Sequence, residues 1–290
     1  MSLAGKTVFM SGGSRGIGLA IAKRLATEGA NVAIAAKTAE PHPKLPGTVY
    51  TAAEEINAAG AGKALGLVCD IRLEEQVDAA IAQTIDTFGA LDICINNASA
   101  ISLTDTSKTS MKRYDLMNDV NTRGTYLVSQ KAMPYLEASS HGHILNLSPP
   151  LDMNPKWFKN HVAYTIAKYG MSLCVLGMAE EFRSKSIGVN ALWPITAIDT
   201  AAVRNVIGDD RMAMMCRKPE IMADAAAAIL ARSPSECTGN FFIDEEVLRA
   251  EGVEDFSQYQ HAGATQLMAD FFIPDEVFAR SPTKIVHGIG

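Results

Sequence analysis

The sequence predicts an α/β fold with a doubly wound parallel sheet in three layers and a short C-terminal extension. Strand-like and helix-like segments alternate for most of the 290 residues, which is the pattern of a parallel sheet covered by helices on both faces. The first apolar run, residues 6–10, leads straight into a glycine-rich turn and a helical apolar face. With 48% hydrophobic residues, a buried core is expected. We expect one domain over residues 1–250, with residues 251–290 packed on it as an extension.

The remaining elements follow from apolar patterning and from the residues that begin and end helices. Further strands are predicted at 31–36, 64–68, 91–95, 143–147 and 187–192. Helices are predicted at 48–57, 73–88, 111–136 and 161–183. Thr48 is a suitable N-cap for the first of these helices, and Gly89 ends the second. Pro134 is expected to perturb the long third helix.

The turn after the first strand is a candidate phosphate site. Gly12, Gly16 and Gly18 stand between a strand and a helix, although their spacing is not G-x-G-x-x-G. Glycines let the backbone approach a pyrophosphate, and free N–H groups at a helix start attract anions. The alternative is a plain tight turn. The pattern favours a Rossmann-type site for a dinucleotide, which would contact Gly12, Gly13, Ser14, Arg15, Gly16, Ile17 and Gly18.

The end of the second strand indicates which dinucleotide is bound. NAD-binding folds usually have an acidic residue there, but this strand ends in Lys37 and the first acid is Glu40. Lys37 and Arg15 would attract a 2′-phosphate, which a carboxylate would repel. NADP is therefore predicted as the cofactor, with NAD less favoured and two solvated surface cations as the alternative. The long loop over 42–46 is expected to wrap the adenosine end.

A proton-transfer pair is predicted in the helix over 161–183. Tyr164 and Lys168 are four residues apart, so both side chains leave the same face of the helix. A nearby ammonium would bring the tyrosine pKa down from its ordinary value of about 10. Other candidates follow strands, and ligands of open α/β sheets bind along that edge. These candidates are the glycine turn, Asp70, Asn97, Ser148 and Pro194.

The sequence resembles the short-chain dehydrogenase/reductase family over roughly residues 5–245. The resemblance rests on motifs in the family's order: the glycine turn, Asp70, Asn-Asn-Ala at 96–98, Asn121, Ser148, and Tyr164 with Lys168. A closer resemblance, over 35–44, 146–150, 163–177 and 238–244, is to one branch of the family. Longer members of that branch have a C-terminal sterol-carrier domain. This chain ends before such a domain, so lipid transfer is not expected of it.

The resemblance implies hydride transfer to or from a carbonyl carbon, with a role for each catalytic candidate. Tyr164 would give or take the proton. Lys168 would lower the pKa of Tyr164 and bind the nicotinamide ribose. Ser148 would polarise the carbonyl oxygen, and Asn121 would hold a water that relays protons to Lys168.

The resemblance also assigns cofactor contacts. Asp70 would face the adenine, and Asn97 and Ala98 would line the adenosine side. Pro194 stands in the turn beside the nicotinamide, and Thr200 is the candidate for the threonine that follows it in the family.

Three departures from the family pattern concern the substrate side. Pro149 and Pro150 follow Ser148, where the family usually has smaller, more flexible residues. Ile195 replaces the glycine of a Pro-Gly turn, and Asp-Glu-Glu at 244–246, a predicted helix start, replaces Asp-Gly-Gly. These changes would reshape the substrate pocket and leave the proton-transfer group intact.

Composition limits the other classes of function. A net charge of −6 gives no electrostatic footprint for nucleic acid or an anionic membrane, and no apolar run approaches ~18 residues. The five cysteines fit no metal or disulfide pattern, and a cytoplasmic location is expected. The pair His141 and His143 lacks further ligands, so no metal is predicted. On family grounds the long helices at 111–136 and 161–183 should pair in a homo-oligomer, a dimer or tetramer.

The favoured hypothesis is therefore an NADP-dependent oxidoreductase that interconverts an alcohol and a carbonyl on an apolar, lipid- or terpenoid-like substrate. The alternative is a sensor or scaffold that binds NADP(H) with little turnover, motivated by Pro149 and Pro150. A nucleotide-dependent transferase, such as a methyltransferase, is a third class, and the Tyr164–Lys168 pair argues against it.

Overall fold

The computed structural model describes residues 1–41, 47–201, 203–204 and 210–287. Seven parallel strands form one sheet in the order β3-β2-β1-β4-β5-β6-β7. The strands are β1 Thr7–Ser11, β2 Asn31–Ala36, β3 Ala64–Val68, β4 Ile93–Asn96, β5 His143–Asn146, β6 Gly188–Trp193 and β7 Phe241–Ile243. The chain runs outward from β1 to β3 and then crosses over to β4 beside β1. This reversal is the switch point at which doubly wound sheets bind ligands.

Helices cover both faces of the sheet. They are α1 Gly16–Thr27, α2 Val49–Ala59, α3 Glu74–Phe88, α4 Met111–Met117, α5 Gly124–Ala138, α6 Val162–Glu181, α7 Asp210–Ala213, α8 Glu220–Leu230 and α9 Asp244–Ala250. Alternate strand residues divide between two cores: Val8 and Met10 pack with α1 and α8, whereas Phe9 packs with α3, α5 and α6. Every β1 side chain is therefore buried, as expected of a central parallel strand. The predicted fold class is confirmed.

Local signals explain where several helices begin and end. The Thr51 amide donates to the hydroxyl of Thr48 at 3.1 Å, and the Thr48 amide donates to the hydroxyl of Thr51 at 2.9 Å. This capping box satisfies two free donors at the start of α2. Gly89 ends α3 in the left-handed conformation, with φ 84°. The helix predicted at 48–57 is confirmed, and the structure extends it to Ala59.

The prediction of one continuous helix over 111–136 is wrong. A π-helical segment, Asn118–Arg123, separates α4 from α5, while Pro134 lies inside α5 without ending it. Single π turns of this kind often mark functional sites. The interruption contains Asn121, whose side-chain contacts explain it below.

The C-terminal extension adds a small two-stranded sheet. It contains β8 Leu267–Met268, α10 Asp275–Arg280 and β9 Ile285–Val286, and β8 and β9 pair in parallel. The Ala197 amide donates to the carbonyl of Met268 at 2.9 Å, which fastens the extension to the chain that follows β6. None of these short elements, nor α8 and β7, was predicted from the sequence.

One helix in the described part of the chain, α6, is long and apolar enough to cross a membrane by length and composition alone. Within its most apolar window, 61% of the residues are buried inside the fold. That burial is typical of a core helix, and α6 packs directly on the sheet.

Candidate active site

The glycine turn after β1 is closely packed against the end of β4. Gly12 has φ 76°, and a Cβ there would lie 2.7 Å from the Cα of Ala98. A Cβ on Gly18 would lie 2.5 Å from the Nδ2 of Asn97. The Asn97 amide donates to the carbonyl of Gly12 at 2.8 Å and to that of Ser11 at 3.2 Å. The Asn97 side chain therefore holds the turn in shape, and only glycines fit this approach of two backbones.

The start of α1 fits an anionic ligand. No side chain caps the helix at Arg15, and no acidic residue stands in its first turn. The first backbone N–H groups of the helix, from Gly16 onward, therefore keep their capacity to bind an anion. Gly13 lies against Ile34 and Ser14 is buried, so this loop presents mainly its backbone. Ile17 packs on the core side and anchors the turn.

Cations surround the end of β2, as the sequence predicted. The Arg15 guanidinium donates to the hydroxyl of Thr38 at 2.9 Å, which places it beside Lys37. Asp70 accepts hydrogen bonds from the Nε and Nη2 of Arg72, and the Lys37 ammonium lies 3.9 Å from its carboxylate. The pKa of Asp70 is lowered, chiefly by the hydrogen bond from Arg72. Three cations and one carboxylate give this corner a net positive charge.

Two residues of this corner, Thr38 and Arg72, were not found from the sequence. A single threonine or arginine carries no functional signal in the sequence, and only the contacts of Thr38 with Arg15 and of Arg72 with Asp70 indicate a role. The loop over 42–46, expected to wrap the adenosine end, lies outside the described residues.

Helix α6 packs the face that carries Lys168 against the end of β5. The Lys168 ammonium donates to the carbonyl of Leu147 at 2.6 Å, and the Ser172 hydroxyl donates to that of Pro149 at 2.6 Å. These two bonds bracket Ser148 and hold it against the helix. The Ser148 hydroxyl is fully buried and has no hydrogen-bond partner within the described residues. Buried polar atoms normally have partners, so this hydroxyl is available to a ligand oxygen.

Asn121 is fully buried, and its side-chain amide makes two hydrogen bonds to the main chain of one other residue. Its Oδ1 accepts from the amide of Ala100 at 2.7 Å, and its Nδ2 donates to the carbonyl of the same residue at 3.0 Å. Next to it, the Thr122 hydroxyl donates to the carbonyl of Ala167 in α6 at 3.0 Å. These bonds fix the π segment against the catalytic helix. Each end of the Asn121 amide thus has one main-chain partner, and the relay water stays a prediction.

The pKa values in this site are dominated by burial. Burial lowers the pKa of Lys168 to about 7, and the carboxylate of Asp270 opposes this shift. Burial also raises the pKa of Tyr164 above its ordinary value, and Asp270 adds to the increase. The shift of Tyr164 is thus opposite to the lowering expected from its spacing to Lys168. The physical reason is that the phenol is desolvated while the ammonium is turned towards Leu147.

The C-terminal extension contributes a wall to this site that the sequence analysis missed. The fully buried ring of Phe272 packs against Tyr164, with centroids 6.1 Å apart, and against Trp193 at the same centroid distance. The indole N–H of Trp193 donates to the carbonyl of Phe271 at 2.9 Å. The only available signal was a pair of aromatic residues in a segment without clear periodicity.

The turn after β6 carries Pro194, which is buried at the carboxyl edge of the sheet. The Ile195 amide, where the family has glycine, donates to the carboxylate of Asp244 at 2.9 Å. Thr200 lies beside the glycine turn, because a Cβ on Gly16 would lie 3.3 Å from its methyl group. The turn therefore brings the end of β6 and the phosphate site together.

No group of three or more His, Cys, Asp and Glu side chains is placed to hold a metal within the described ranges. His141 and His143 each bond a backbone carbonyl, those of Leu230 and Arg232.

A parallel sheet with a glycine turn at its switch point and a buried Tyr-Lys pair beside it defines a dinucleotide-dependent dehydrogenase. The profile of the short-chain dehydrogenase family matches residues 6–210, and the chain belongs to that family of NAD(P)-using oxidoreductases. Among curated proteins, it is 58% identical over 286 residues to hydroxysteroid dehydrogenase-like protein 2 of Xenopus tropicalis, covering 99% of this chain and 68% of the relative. This confirms the branch that the sequence resembles.

Solved structures agree with this assignment. A short-chain dehydrogenase from Mycobacterium thermoresistibile is 53% identical, with a TM-score of 0.88, and the match covers 94% of this chain and 96% of that one. A metagenomic short-chain oxidoreductase in complex with NADP is 26% identical, with a TM-score of 0.69, and the match covers 84% of this chain and 98% of that one.

Proposed function

We propose that this protein is an NADP-dependent oxidoreductase that interconverts an alcohol and a carbonyl on an apolar, lipid- or terpenoid-like substrate. The proposal rests on one observation above all. At the carboxyl edge of the sheet, Lys168 donates to the carbonyl next to Ser148, whose buried hydroxyl has no partner among the described residues, and Tyr164 lies one helical turn before Lys168. A bound nicotinamide supplies or accepts the hydride in such a site.

Each side chain has a task in that reaction. The unpartnered hydroxyl of Ser148 hydrogen-bonds the substrate oxygen and orients it. Tyr164 donates its proton to this oxygen during reduction and takes it back during alcohol oxidation. Lys168 supplies positive charge beside the phenol when its ammonium form is present. The burial of all three groups excludes water and strengthens each electrostatic interaction.

The preference for NADP is supported by the positive corner at the end of β2. Arg15 is held there by Thr38, and the side chain of Lys37 is 57% exposed and therefore accessible to a ligand. A 2′-phosphate needs such donors, and no acidic residue stands at the strand end to hold the ribose of NAD. The NADP found in the metagenomic relative is consistent with this preference.

An apolar substrate is supported by the lining around Tyr164. The cluster that contains Tyr164 includes buried Trp193 and Phe272, with partly buried Ile101, Leu151 and Phe271 packed against it. The relative's name refers to hydroxysteroid dehydrogenases, and a hydroxysteroid is one member of the apolar class that this lining would accept.

Replacing Tyr164 by Phe tests the mechanism. The variant should lose at least about 100-fold in turnover, because it removes the group that transfers the proton. Its NADPH affinity, measured by fluorescence titration, should be nearly unchanged. Tyr135→Phe, a change on the partly exposed surface of α5, is the matched control and should keep full activity.

Turnover measurements also distinguish the proposed enzyme from a sensor or scaffold that only binds NADP(H). Normal turnover by Tyr164→Phe over a panel of apolar ketones and alcohols would refute the assigned mechanism. NADPH binding without turnover by the unmodified protein, at high concentration and over the same panel, would favour a sensor or scaffold.

We also infer that two copies of the chain pair through α6. Along one face of this helix, Val162, Ile166, Leu173 and Leu176 are exposed by 36%, 43%, 57% and 55%. A row of exposed aliphatic side chains on a single helix is typical of a protein–protein interface. The family expectation of paired long helices points to a second copy of the chain as the partner.

A reducing compartment such as the cytoplasm is supported by the cysteines. All five are free thiols and four of them are buried. Burial raises the pKa of Cys94 to about 12, which keeps this thiol protonated and unreactive.

A further inference from the structure

The C-terminal extension brings one carboxyl group to the catalytic pair. We propose that Asp270 is a positioning residue for Tyr164 and Lys168: its carboxylate favours the ammonium form of Lys168 and disfavours the phenolate of Tyr164. The inference deepens the proposed function, because the role of Tyr164 as acid and base belongs to that proposal. It gives the extension a part in setting the charge of the active site.

The backbone fixes the position of Asp270. Its amide donates to the carbonyl of Ile195 at 3.1 Å, immediately beyond the end of β6. Its Oδ1 accepts from the amide of Phe271 at 2.6 Å, which constrains the direction of the carboxylate. The preceding residue, Ala269, bridges to Thr196 and donates to Val286 of β9. Asp270 is thus held by the nicotinamide-side turn and by the extension together.

The next two residues contact the surroundings of the catalytic pair. The carbonyl of Phe271 accepts from the indole of Trp193, and the Lys168 ammonium lies 4.8 Å from the centroid of that indole. The ring of Phe272 packs on the ring of Tyr164. The segment contacts Trp193 and Tyr164 on consecutive residues, so the main chain of Asp270 lies next to the surroundings of the catalytic pair.

A buried ion pair anchors the far end of the extension. The guanidinium of Arg217 lies 2.6 Å from the carboxylate of Glu245, and both side chains are almost completely buried. The hydroxyls of Ser281 and Thr283 donate to the same carboxylate. This anchor keeps the extension on the domain, so Asp270 occupies a defined position.

The charged and titratable groups that interact electrostatically with Asp270 lie in three parts of the chain. Tyr164 and Lys168 belong to α6, Asp244 stands at the start of α9, and Cys216 precedes Arg217. Asp244 in turn faces Arg217, whose partner is Glu245. Among these groups, Lys168 is the cation whose charge acts on Asp270.

The two groups therefore titrate over the same range. Burial raises the pKa of Asp270 to about 7, with Asp244 adding to the rise and Lys168 opposing it. Burial lowers the pKa of Lys168 to about 7, with Asp270 opposing that shift. The carboxylate–ammonium arrangement is the charged form of this pair, and each charge favours the other. Removing the carboxylate should favour the neutral amine.

The test measures the titration of Lys168 directly, without cofactor or substrate. The protein is labelled with 13C-lysine, and the Cε resonance of Lys168 is assigned by its loss in Lys168→Met. Its chemical shift is then followed by NMR from about pH 5 to pH 10, a range that begins below neutrality and ends just short of the reference lysine pKa of about 10.4, and the titration midpoint is read from the curve. In Asp270→Asn the midpoint should fall by about one pH unit or more, because a facing negative charge is lost. Asp270→Glu keeps the charge and should retain most of the wild-type midpoint.

The matched control is Asp275→Asn, which removes an exposed carboxylate of the same extension that pairs with Lys156. A Lys168 midpoint that stays within about 0.3 pH unit of wild type in Asp270→Asn, or that moves equally in Asp275→Asn, would overturn the proposal. If Asp270→Asn does not fold, the reciprocal titration decides. In Lys168→Met the 13C carboxyl resonance of Asp270 should titrate at higher pH than in wild type, and an unchanged midpoint would refute the coupling.

A kinetic measurement links this coupling to the reaction. With a substrate that is turned over, the pH at which alcohol oxidation reaches half its maximal kcat should differ between wild type and Asp270→Asn and be retained in Asp270→Glu, since the charge of Asp270 acts on Tyr164 directly and through Lys168. NADPH affinity should not change. The NMR result stands whether or not turnover is found, so failure of this proposal and failure of the proposed function are distinguishable.

Discussion

The ring of Phe272 packs against the ring of Tyr164 with centroids 6.1 Å apart, although the two residues are far apart in the sequence. Phe272 has no exposed surface, and its ring also contacts Tyr169 and Trp193. The C-terminal extension is therefore a structural part of the active site. Its burial of the phenol contributes to the raised pKa of Tyr164.

Phe272→Ala should destabilise the protein by about 3–5 kcal/mol, the usual cost of emptying a buried aromatic site. Urea unfolding measures this loss. Phe272→Leu is the graded control, and it should lose less free energy of unfolding because a smaller cavity remains. Equal losses for the two variants, or no loss for alanine, would show that the ring does not pack as described. The alanine variant should also lower the pKa of Tyr164 by admitting water.

Arg15→Ala should weaken NADP(H) binding selectively. The guanidinium beside Thr38 is the best-placed donor for a 2′-phosphate, and a lost charge-assisted hydrogen bond costs about 1.5–3 kcal/mol, or roughly 10- to 100-fold in Kd. Affinity for NAD(H), which lacks the phosphate, should change little. Calorimetric or fluorescence titration of both nucleotides provides the measurement.

Lys23→Ala is the control for Arg15→Ala. Lys23 is a cation of the same helix, α1, but its exposed side chain pairs with Glu55 on α2. This variant should leave both nucleotide affinities unchanged. A parallel loss of NADP(H) and NAD(H) affinity in Arg15→Ala would mean that Arg15 supports the glycine turn as a whole and does not read the 2′-phosphate.

The sequence was sufficient for the sheet and for the helix that carries Tyr164 and Lys168, for a physical reason. Buried parallel strands are continuous apolar runs, and the strand at 31–36 was located to the residue. The edge strand at 64–68 is less buried and was also located to the residue. The glycines at 12 and 18 could be identified because close backbone approach admits no other residue. These requirements are local, so a short stretch of sequence is enough to reveal them.

The parts that the sequence did not predict depend on distant contacts. The π turn at Asn121 follows from hydrogen bonds to Ala100. The sequence around Asn121 contains no pattern that predicts these bonds. The approach of Asp270 to Lys168 depends on a turn after β6 and on the anchor at Arg217. The spacing of Tyr164 and Lys168 also could not predict the direction of the Tyr164 pKa shift, because the effect of burial is larger than that of a neighbour four residues away.

Exposed leucines on α6 should hold two copies of the chain together. The double variant Leu173→Glu with Leu176→Glu places negative charges on the exposed face of α6 and should convert the oligomer to a monomer. Light scattering coupled to size-exclusion chromatography measures the mass. Leu73→Glu, at an exposed position before α3, is the matched control and should keep the oligomer. A monomeric wild-type protein, or an unchanged mass in the double variant, would exclude this face as the interface.

His143 should make the protein acid-sensitive. The residue lies on β5 between β4 and β6, its Nε2 faces the carbonyl of Arg232 at 3.2 Å, and its Nδ1 is buried without a partner in the described structure. Burial lowers its pKa to about 4, and His141 adds to the shift. The unfolded chain protonates near the ordinary value of about 6.5. Between these values the unfolded state binds more protons, so stability falls as the pH drops from 6.5 to 4.

The size of this effect is obtained from a difference between variants, because other groups act in the opposite direction. The pKa of Asp244 is raised to about 6 by burial, so protonation of that carboxyl stabilises the folded state as the pH falls through the same window. Relative to wild type, His143→Gln should therefore gain up to about 3 kcal/mol of unfolding free energy between pH 6.5 and pH 4. Urea unfolding at the two pH values measures it. His287→Gln, at an exposed histidine, should show no such gain, and a His143 variant that parallels wild type at both pH values would contradict the assigned burial effect.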